Sequence, residues 1–158
     1  LLNKEKMNHR LMAPLYKISD SYFFAPARGQ RTDTIIKNPN CNNYCVVDAK
    51  YYAAKNIQTS PQLADIVKQF YYSEAVKLIE PSAKIISSVF VFPGKSGNIE
   101  SIHMAKKENK KNYDSFDCLD DNYSPIICIY QDPIELIMHY ASTKKLISLS
   151  SKIVELCS

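Results

Sequence analysis

The stretch that decides the fold reads Tyr-Cys-Val-Val-Asp-Ala-Lys-Tyr and occupies residues 44–51. Its β-branched and aromatic residues favour a β-strand, in which alternate side chains point to opposite faces. Asp48 and Lys50 therefore share one face with Val46, and the odd-numbered residues take the other. Burying two charged side chains without partners is costly, so a compensating group is expected nearby. The best candidate is Asp33, on the preceding predicted strand.

Two further strands are predicted before this stretch, at residues 21–25 and 32–37. Each is bounded by turn-forming residues, and the connections between the three strands are short. Short connections favour antiparallel neighbours. The sequence therefore predicts a three-stranded antiparallel meander, in which the strand carrying Asp33 lies beside the strand carrying Asp48.

A helix is predicted after the meander, with Ser60 as its N-cap, Pro61 as its first residue and Ile79 near its end. At 100° per residue, Leu63, Phe70 and Leu78 cluster on one side. Apolar residues recur at helical spacing along this segment, namely Leu63, Ile66, Val67, Phe70 and Leu78. The opposite side carries Gln62, Asp65, Gln69 and Tyr72. This pattern predicts that Gln69 lies outside the core, facing either a ligand or solvent. Glu74 falls within the apolar stripe and receives no function.

The rest of the chain alternates strands with polar or helical segments. A strand at residues 84–92 is expected to pair in parallel with the third strand, because a helix separates the two. Residues 99–105 are its possible hairpin partner, and residues 106–124 form a polar loop. A strand at residues 124–130 precedes a helix that Asp132-Pro133 begins. The fold class is therefore α/β, with a central mixed sheet flanked by helices.

Composition bounds the class of protein. The chain has 158 residues, 46% of them apolar and 23% charged, as expected of one globular domain over residues 1–158. No apolar run is long enough to span a membrane. A net charge of +4 permits a polyanionic partner without requiring one. Five scattered cysteines favour reduced thiols and a cytoplasmic location. The start, without Met or signal peptide, suggests a piece of a longer protein.

Two carboxylates that converge beside a lysine are what divalent-metal hydrolysis of a phosphodiester requires. Carboxylate oxygens hold Mg²⁺ while leaving coordination places for water and phosphate. A lysine orients the nucleophile or stabilises the charge that develops on phosphorus. Asp48 and Lys50 could equally form a structural ion pair that needs no metal, and an Asp-x-Lys triplet alone does not separate the two interpretations.

The order of these features is similar to the core of the PD-(D/E)xK nucleases. More narrowly, residues 47–52, with residues 65–69 and Tyr71-Tyr72 on the next helix, resemble type II restriction endonucleases of the LlaJI family. The resemblance covers roughly residues 20–140, and Thr32 stands where the family pattern often has Pro. A helical Glu common in the superfamily is matched nearby only by Glu5.

The resemblance implies a restriction-endonuclease-like core and a Mg²⁺-dependent endodeoxyribonuclease. It implies Asp33 and Asp48 as metal ligands with the Ala49 carbonyl as a possible third, Lys50 as the catalytic lysine, and Gln69 as a helix residue that faces the active site. Double-stranded DNA is the implied partner, cut by a homodimer or a transient dimer. The residues expected to contact DNA are Arg28, Arg31 and Lys68. Two alternatives remain open: a structure-specific repair or junction nuclease of the same fold, and a catalytically inactive DNA-binding fragment.

Overall fold

The computed structural model describes residues 4–38, 40–105, 119–142 and 146–156, with side chains from Met7 onward. The helices are α1 (Lys4–Arg10), α2 (Leu63–Ile79), α3 (Pro133–Ala141) and α4 (Ile147–Glu155). The strands are β1 (Leu15–Ile18), β2 (Ser21–Phe24), β3 (Thr34–Lys37), β4 (Tyr44–Ala49), β5 (Ile86–Pro93), β6 (Ser101–Ile102) and β7 (Ile126–Gln131).

The central sheet is a mixed sheet with the strand order β3-β4-β5-β7-β6. Strands β4, β5 and β7 run parallel, and β3 and β6 are antiparallel strands at the two edges. Helix α2 makes the crossover from β4 to β5, as a parallel pair requires. The predicted α/β class, the antiparallel β3–β4 pair and the parallel pairing of β4 with β5 are confirmed.

The predicted three-stranded meander is wrong, because β2 pairs with β1 in a separate two-stranded sheet. After β2 the chain forms a short 3₁₀ turn. The backbone on either side of this turn makes hydrogen bonds to the segment that precedes β1. The amide N–H groups of Ala25 and Gln30 donate to the carbonyl oxygens of Pro14 and Met12, at 3.0 and 3.1 Å. The side chains of both strands are exposed throughout. Residues 21–25 therefore add nothing to the central sheet.

The hairpin of residues 99–105 with β5 is also wrong, because β6 pairs with β7. Strand β5 lies between β4 and β7 in the sheet, so neither of its edges is open to a further strand. The polar loop predicted at residues 106–124 falls largely outside the described residues.

Helix α2 begins at Leu63, two residues later than predicted. Ser60 instead closes a 3₁₀ turn, in which its amide N–H and its hydroxyl both donate to the Ile57 carbonyl oxygen. The predicted apolar face is confirmed only at Phe70, which is buried, since Leu63 and Leu78 are 63% and 64% exposed. The residues that α2 buries are Gln69, Phe70, Tyr72, Ala75 and Val76.

The core lies on both faces of the sheet. One face of β4 packs with α1 and the second half of α2, through a cluster that includes Val46, Tyr72 and Val76. The other face carries Cys45 and Val47 and is covered by α4 through Ile153. Strand β4 is therefore buried on both sides, as parallel central strands are.

The carboxyl-terminal part agrees with the strand and the helix predicted there, which correspond to β7 and α3. Asp132 caps α3, its Oδ1 atom accepting a hydrogen bond from the Ile134 amide at 2.9 Å, so the predicted cap is confirmed. The helical tail breaks after α3, and α4 is a separate helix. Within the described ranges, every helix is too short or too polar to cross a bilayer. Burial raises the pKa of the Cys128 thiol to about 11, which keeps this thiol protonated at neutral pH.

Candidate active site

The site is centred on Asp48, near the carboxyl end of β4. Asp48 is only 5% exposed, and the Lys50 ammonium donates a hydrogen bond to its Oδ2 atom at 3.1 Å. Lys50 comes directly after the last residue of β4, where the strand period keeps it on the Asp48 face. The predicted ion pair is therefore present, and it lies at the end of the central sheet.

Helix α2 supplies two more charged groups. Asp65, in its first turn, accepts a hydrogen bond from the Lys50 ammonium at 2.7 Å. Lys68 lies one turn further along, with its Nζ atom 3.8 Å from Asp48 Oδ2 and 5.4 Å from the centre of the Tyr72 ring. Acids and amines thus alternate through the cluster formed by Asp48, Lys50, Asp65 and Lys68, which we call the β4 cluster.

Asp33 enters the site from the strand at the edge. The β3–β4 register pairs Thr34 with Val47, and continuing it by one residue sets Asp33 opposite Asp48. Residues opposite each other in an antiparallel pair share a face of the sheet. Burial is the main cause that raises the pKa of Asp48, and the charge of Asp33 adds a smaller contribution in the same direction. Asp33 itself is exposed.

The Ala49 carbonyl points toward the same edge. The amide N–H group of Tyr44 donates to the carbonyl oxygen of Ile85, just before β5, and that of Lys50 donates to Val91 within β5, so the amides of the even-numbered residues point toward β5. Successive residues of a strand direct their backbone groups to opposite sides. Ala49, as an odd-numbered residue at the strand end, therefore directs its carbonyl toward the β3 side, where Asp33 lies.

The protonation equilibria of the buried pair reflect burial and neighbouring charge. Burial raises the pKa of Asp48 and outweighs the opposing effects of Lys50 and Lys68. Burial alone would lower the pKa of Lys50, but hydrogen bonds to Asp65 and Asp48 outweigh it and raise that pKa. Lys50 is therefore firmly cationic, and Asp48 is a carboxylate that the folded protein stabilises poorly. An added cation would relieve that deficit.

Gln69 departs from its prediction. It is fully buried, not on a polar outer face, and its amide Nε2 donates to the carbonyl oxygens of Val46 and Val89 at 2.8 and 3.4 Å. These carbonyls belong to β4 and β5, so Gln69 ties α2 to the two central strands. Its Oε1 atom is buried and has no hydrogen-bond partner among the described residues.

Asp65 is the residue that sequence reasoning missed. The pattern placed Asp65 on the same helix side as Gln69, at a spacing of one turn, which was correct. The sequence pattern predicts that this side turns away from the core, whereas in the structure it faces the sheet. The signal that could have found Asp65 was an acid one turn before a buried amide, above a strand that ends in a lysine.

The remaining predicted residues lie in several places. The Arg28 guanidinium is 5.9 Å from the centre of the Tyr16 ring on β1, and Arg31 is exposed while its carbonyl accepts a hydrogen bond from the Tyr72 hydroxyl at 2.8 Å. Glu5 lies in α1, with its side chain outside the described part. Glu74 is exposed, not buried in an apolar stripe.

Oxygen ligands are what this site offers to a cation. The predicted ligands, Asp33, Asp48 and the Ala49 carbonyl, are all hard oxygens, which suit Mg²⁺ better than a softer metal. In the described ranges, no group of three or more His, Cys, Asp or Glu side chains is arranged to hold a metal ion. A cation here would therefore use two carboxylates, a backbone oxygen and water, and Mg²⁺ commonly keeps several waters in proteins.

Comparison with known proteins gives one match. The model of a family described as LlaJI restriction endonuclease matches residues 6–130, which includes the whole β4 cluster and Asp33. No curated protein and no solved structure matches the chain significantly.

Proposed function

We propose that this chain, which belongs to the LlaJI restriction endonuclease family, hydrolyses phosphodiester bonds of double-stranded DNA in a Mg²⁺-dependent reaction, as a type II restriction enzyme does. Family membership gives the chain a nuclease role. The observation that carries the finer proposal is the buried Asp48–Lys50 pair at the end of β4, with Asp33 on the same face across the strand pair.

In this proposal Asp33, Asp48 and the Ala49 carbonyl hold the metal. When bound, Mg²⁺ offsets the charge of the phosphate and lowers the pKa of a coordinated water. Asp48 is suited to this role because it is buried and poorly compensated by its own neighbours. Asp33 is exposed, so its carboxylate faces the side from which a DNA strand can approach.

Lys50 acts on the reacting phosphate. Its raised pKa keeps it protonated at neutral pH, so it acts as a cation that orients the attacking water or stabilises charge on phosphorus. A general-base role would require a lowered pKa, which this site does not provide. Lys50 is 9% exposed at its side chain, which limits competition from bulk water.

Three further basic residues are assigned to DNA contact. Lys68 borders the β4 cluster and is 45% exposed at its side chain, so it reaches both Asp48 and solvent. Arg28 and Arg31 are exposed on the segment between β2 and Asp33. Basic side chains beside a cleavage site position the phosphate backbone without reading the base sequence.

Gln69 takes a positioning role in this proposal. By donating to Val46 and Val89 it fixes α2 against the strand that carries Asp48. Because Lys68 is its direct neighbour, this anchor also sets where Lys68 lies. Cutting both strands of a duplex with one such site per chain is most simply achieved by a homodimer or by transient pairing of two chains.

The test is digestion of a defined plasmid with and without Mg²⁺. We expect cleavage only with Mg²⁺, and loss of cleavage in Asp48→Ala and Lys50→Ala. Glu74→Gln is the matched control, because Glu74 is an exposed acid on α2, and it should cut like the parent chain. Near-normal cutting by either alanine variant would end the assignment. Cutting of branched DNA with the plain duplex left intact would favour the junction nuclease instead.

A further inference from the structure

The Lys50 ammonium is held from three sides by groups of three different elements. Asp48 of β4 accepts a hydrogen bond at 3.1 Å, Asp65 of α2 accepts one at 2.7 Å, and the Phe90 ring of β5 lies 5.0 Å away, centre to Nζ. Phe90 is fully buried, so its ring is a fixed wall that attracts the cation. The shortest of the polar contacts is the one to Asp65.

In the proposed reaction, the hydrogen bond between Asp48 and the Lys50 ammonium weakens when Asp48 binds the metal. A carboxylate that ligates Mg²⁺ shares its charge with the metal, and the metal repels the ammonium beside it. Lys50 would then keep its position only if another acid holds it. The Lys50 side chain is 9% exposed, so water is a poor substitute.

Asp65 is placed to provide that second hold. It projects from a different element than Asp48 and is 35% exposed at its side chain, against 7% for Asp48. Its position in the first turn of α2 favours a negative charge, because the helix amino terminus carries partial positive charge. The contact between Asp65 and Lys50 therefore does not depend on the metal that Asp48 would bind.

We propose that Asp65 is a positioning residue that keeps the Lys50 ammonium on the scissile phosphate after Asp48 has turned to the metal. This inference rests on the proposed function, and it adds a residue to which neither the sequence pattern nor the family match assigns a role. Asp65 touches neither substrate nor metal in it, and acts only through Lys50.

The kinetic test compares the parent chain with Asp65→Asn, Asp65→Glu and the control Glu74→Gln, under Mg²⁺ saturation. We expect Asp65→Asn to lower kcat about 10- to 100-fold, as loss of a group that orients a catalytic side chain does. KM for DNA should stay within about twofold, because Asp65 binds no substrate. Asp65→Glu should restore part of kcat, and Glu74→Gln should match the parent chain.

Metal affinity separates positioning from ligation. Isothermal titration of Mg²⁺ into Asp65→Asn should give a Kd close to that of the parent chain, and titration into Asp48→Asn should show lost binding. If Asp65→Asn loses Mg²⁺ binding, Asp65 is a ligand and the proposal is wrong. If Asp65→Asn keeps kcat within about twofold of the parent value, the proposal is wrong as well.

A third readout needs no activity. In a ¹⁵N-lysine NMR spectrum of the metal-free protein, an ammonium held by two carboxylates exchanges slowly with water and gives a resolved signal. We expect that signal for Lys50 in the parent chain and in Glu74→Gln, and its loss in Asp65→Asn with the fold intact by thermal unfolding. If the parent chain shows the signal but never cuts DNA, the proposed function is wrong, while the positioning of the Lys50 ammonium by Asp65 still stands. If the signal is unchanged in Asp65→Asn, Asp65 does not position the Lys50 ammonium.

Discussion

The two ends of helix α2 carry two ion-pair clusters of opposite character. At its start, the β4 cluster gathers Asp48, Lys50, Asp65 and Lys68 around a buried carboxylate. At its end, Glu80 binds the Arg10 guanidinium and accepts a hydrogen bond from the Tyr44 hydroxyl at 2.9 Å. We call this second group, Arg10, Tyr44 and Glu80, the anchor cluster. Both clusters join α2 to β4, through residues near opposite ends of the strand.

The contrast lies in how well each acid is compensated. Burial would raise the pKa of Glu80, but its bonds to Arg10 and Tyr44 outweigh burial and the pKa is lowered. For Asp48 the balance has the opposite sign, and its pKa is raised. The folded protein therefore stabilises the charged form of Glu80 and destabilises that of Asp48. An acidic residue whose charged form destabilises the folded protein is a candidate for a functional residue.

The largest effect is expected from Asp48→Asn, which removes a buried charge that its neighbours compensate only in part. Under the proposed function cleavage should fall about a thousandfold or more, because loss of a ligand to the metal removes several kcal/mol of transition-state stabilisation. The free energy of unfolding is the second quantity of interest, because the variant loses both the buried charge and its ion pair with Lys50. Single-turnover cleavage and urea denaturation measure the two quantities.

The pH dependence of that variant has a defined sign. A raised pKa in the folded state means that stability is lost as the pH rises through it, because the carboxyl then gives up a proton that folding favours. Asparagine has no such loss. The stability of Asp48→Asn relative to the parent chain should therefore rise from acid to neutral pH, and a relative stability that falls over this range would contradict the balance described above.

Gln69→Ala tests the part of α2 that lies between the two clusters. Gln69 is fully buried and bonds to the Val46 carbonyl, so its truncation should lower the free energy of unfolding by about 3 kcal/mol through lost packing and a lost hydrogen bond. Leu78→Ala is the control, since Leu78 is 64% exposed. It should cost less than about 0.5 kcal/mol. If urea denaturation shows a larger loss for Leu78→Ala than for Gln69→Ala, the apolar face predicted from the sequence is the buried one.

Glu80→Gln should have a smaller effect on stability, because the Arg10 side chain is 49% exposed and the pair is screened by solvent. We expect a loss of about 1 kcal/mol or less at neutral pH. The lowered pKa means that this contribution is present above the ordinary pKa of glutamate and is lost as the pH falls through the folded value. The parent chain and the variant should converge in acid, and cleavage should be unchanged at neutral pH.

The smallest effect is expected from Lys68→Ala, measured as DNA affinity without Mg²⁺. One lost phosphate contact should weaken binding a few-fold for any sequence and should reduce the slope of log affinity against log salt by about 1. Lys77→Ala, on the same helix near the anchor cluster, is the control and should leave the slope unchanged. If the two variants give equal slopes of log affinity against log salt, Lys68 does not contact DNA.

Local pattern predicted much of this molecule. The strand that carries Asp48 and Lys50 on one face, the antiparallel pairing that brings Asp33 to it, and the cap at Asp132 all follow from spacing and turn chemistry. The same patterns failed for β2 and β6. The partner of β6 follows from which edges were open, because β5 is flanked on both sides, whereas β2 pairs with β1 although β3 is an edge strand. An edge is a property of the assembled sheet and leaves no mark in a five-residue stretch.

The sequence by itself determined which side chains share a face, because the periods of strands and helices are fixed by backbone geometry. It therefore grouped Asp65 with Gln69 and Asp48 with Lys50. Only the tertiary structure decided which face turned inward, and on α2 it was the side that carries Gln69 and Tyr72, together with Phe70, Ala75 and Val76. That side combines apolar packing by Tyr72 and Val76 with hydrogen bonds from Gln69 to the Val46 carbonyl and from Lys50 to Asp65, and burying polar groups without such bonds would be costly. Leu63 and Leu78 are left exposed.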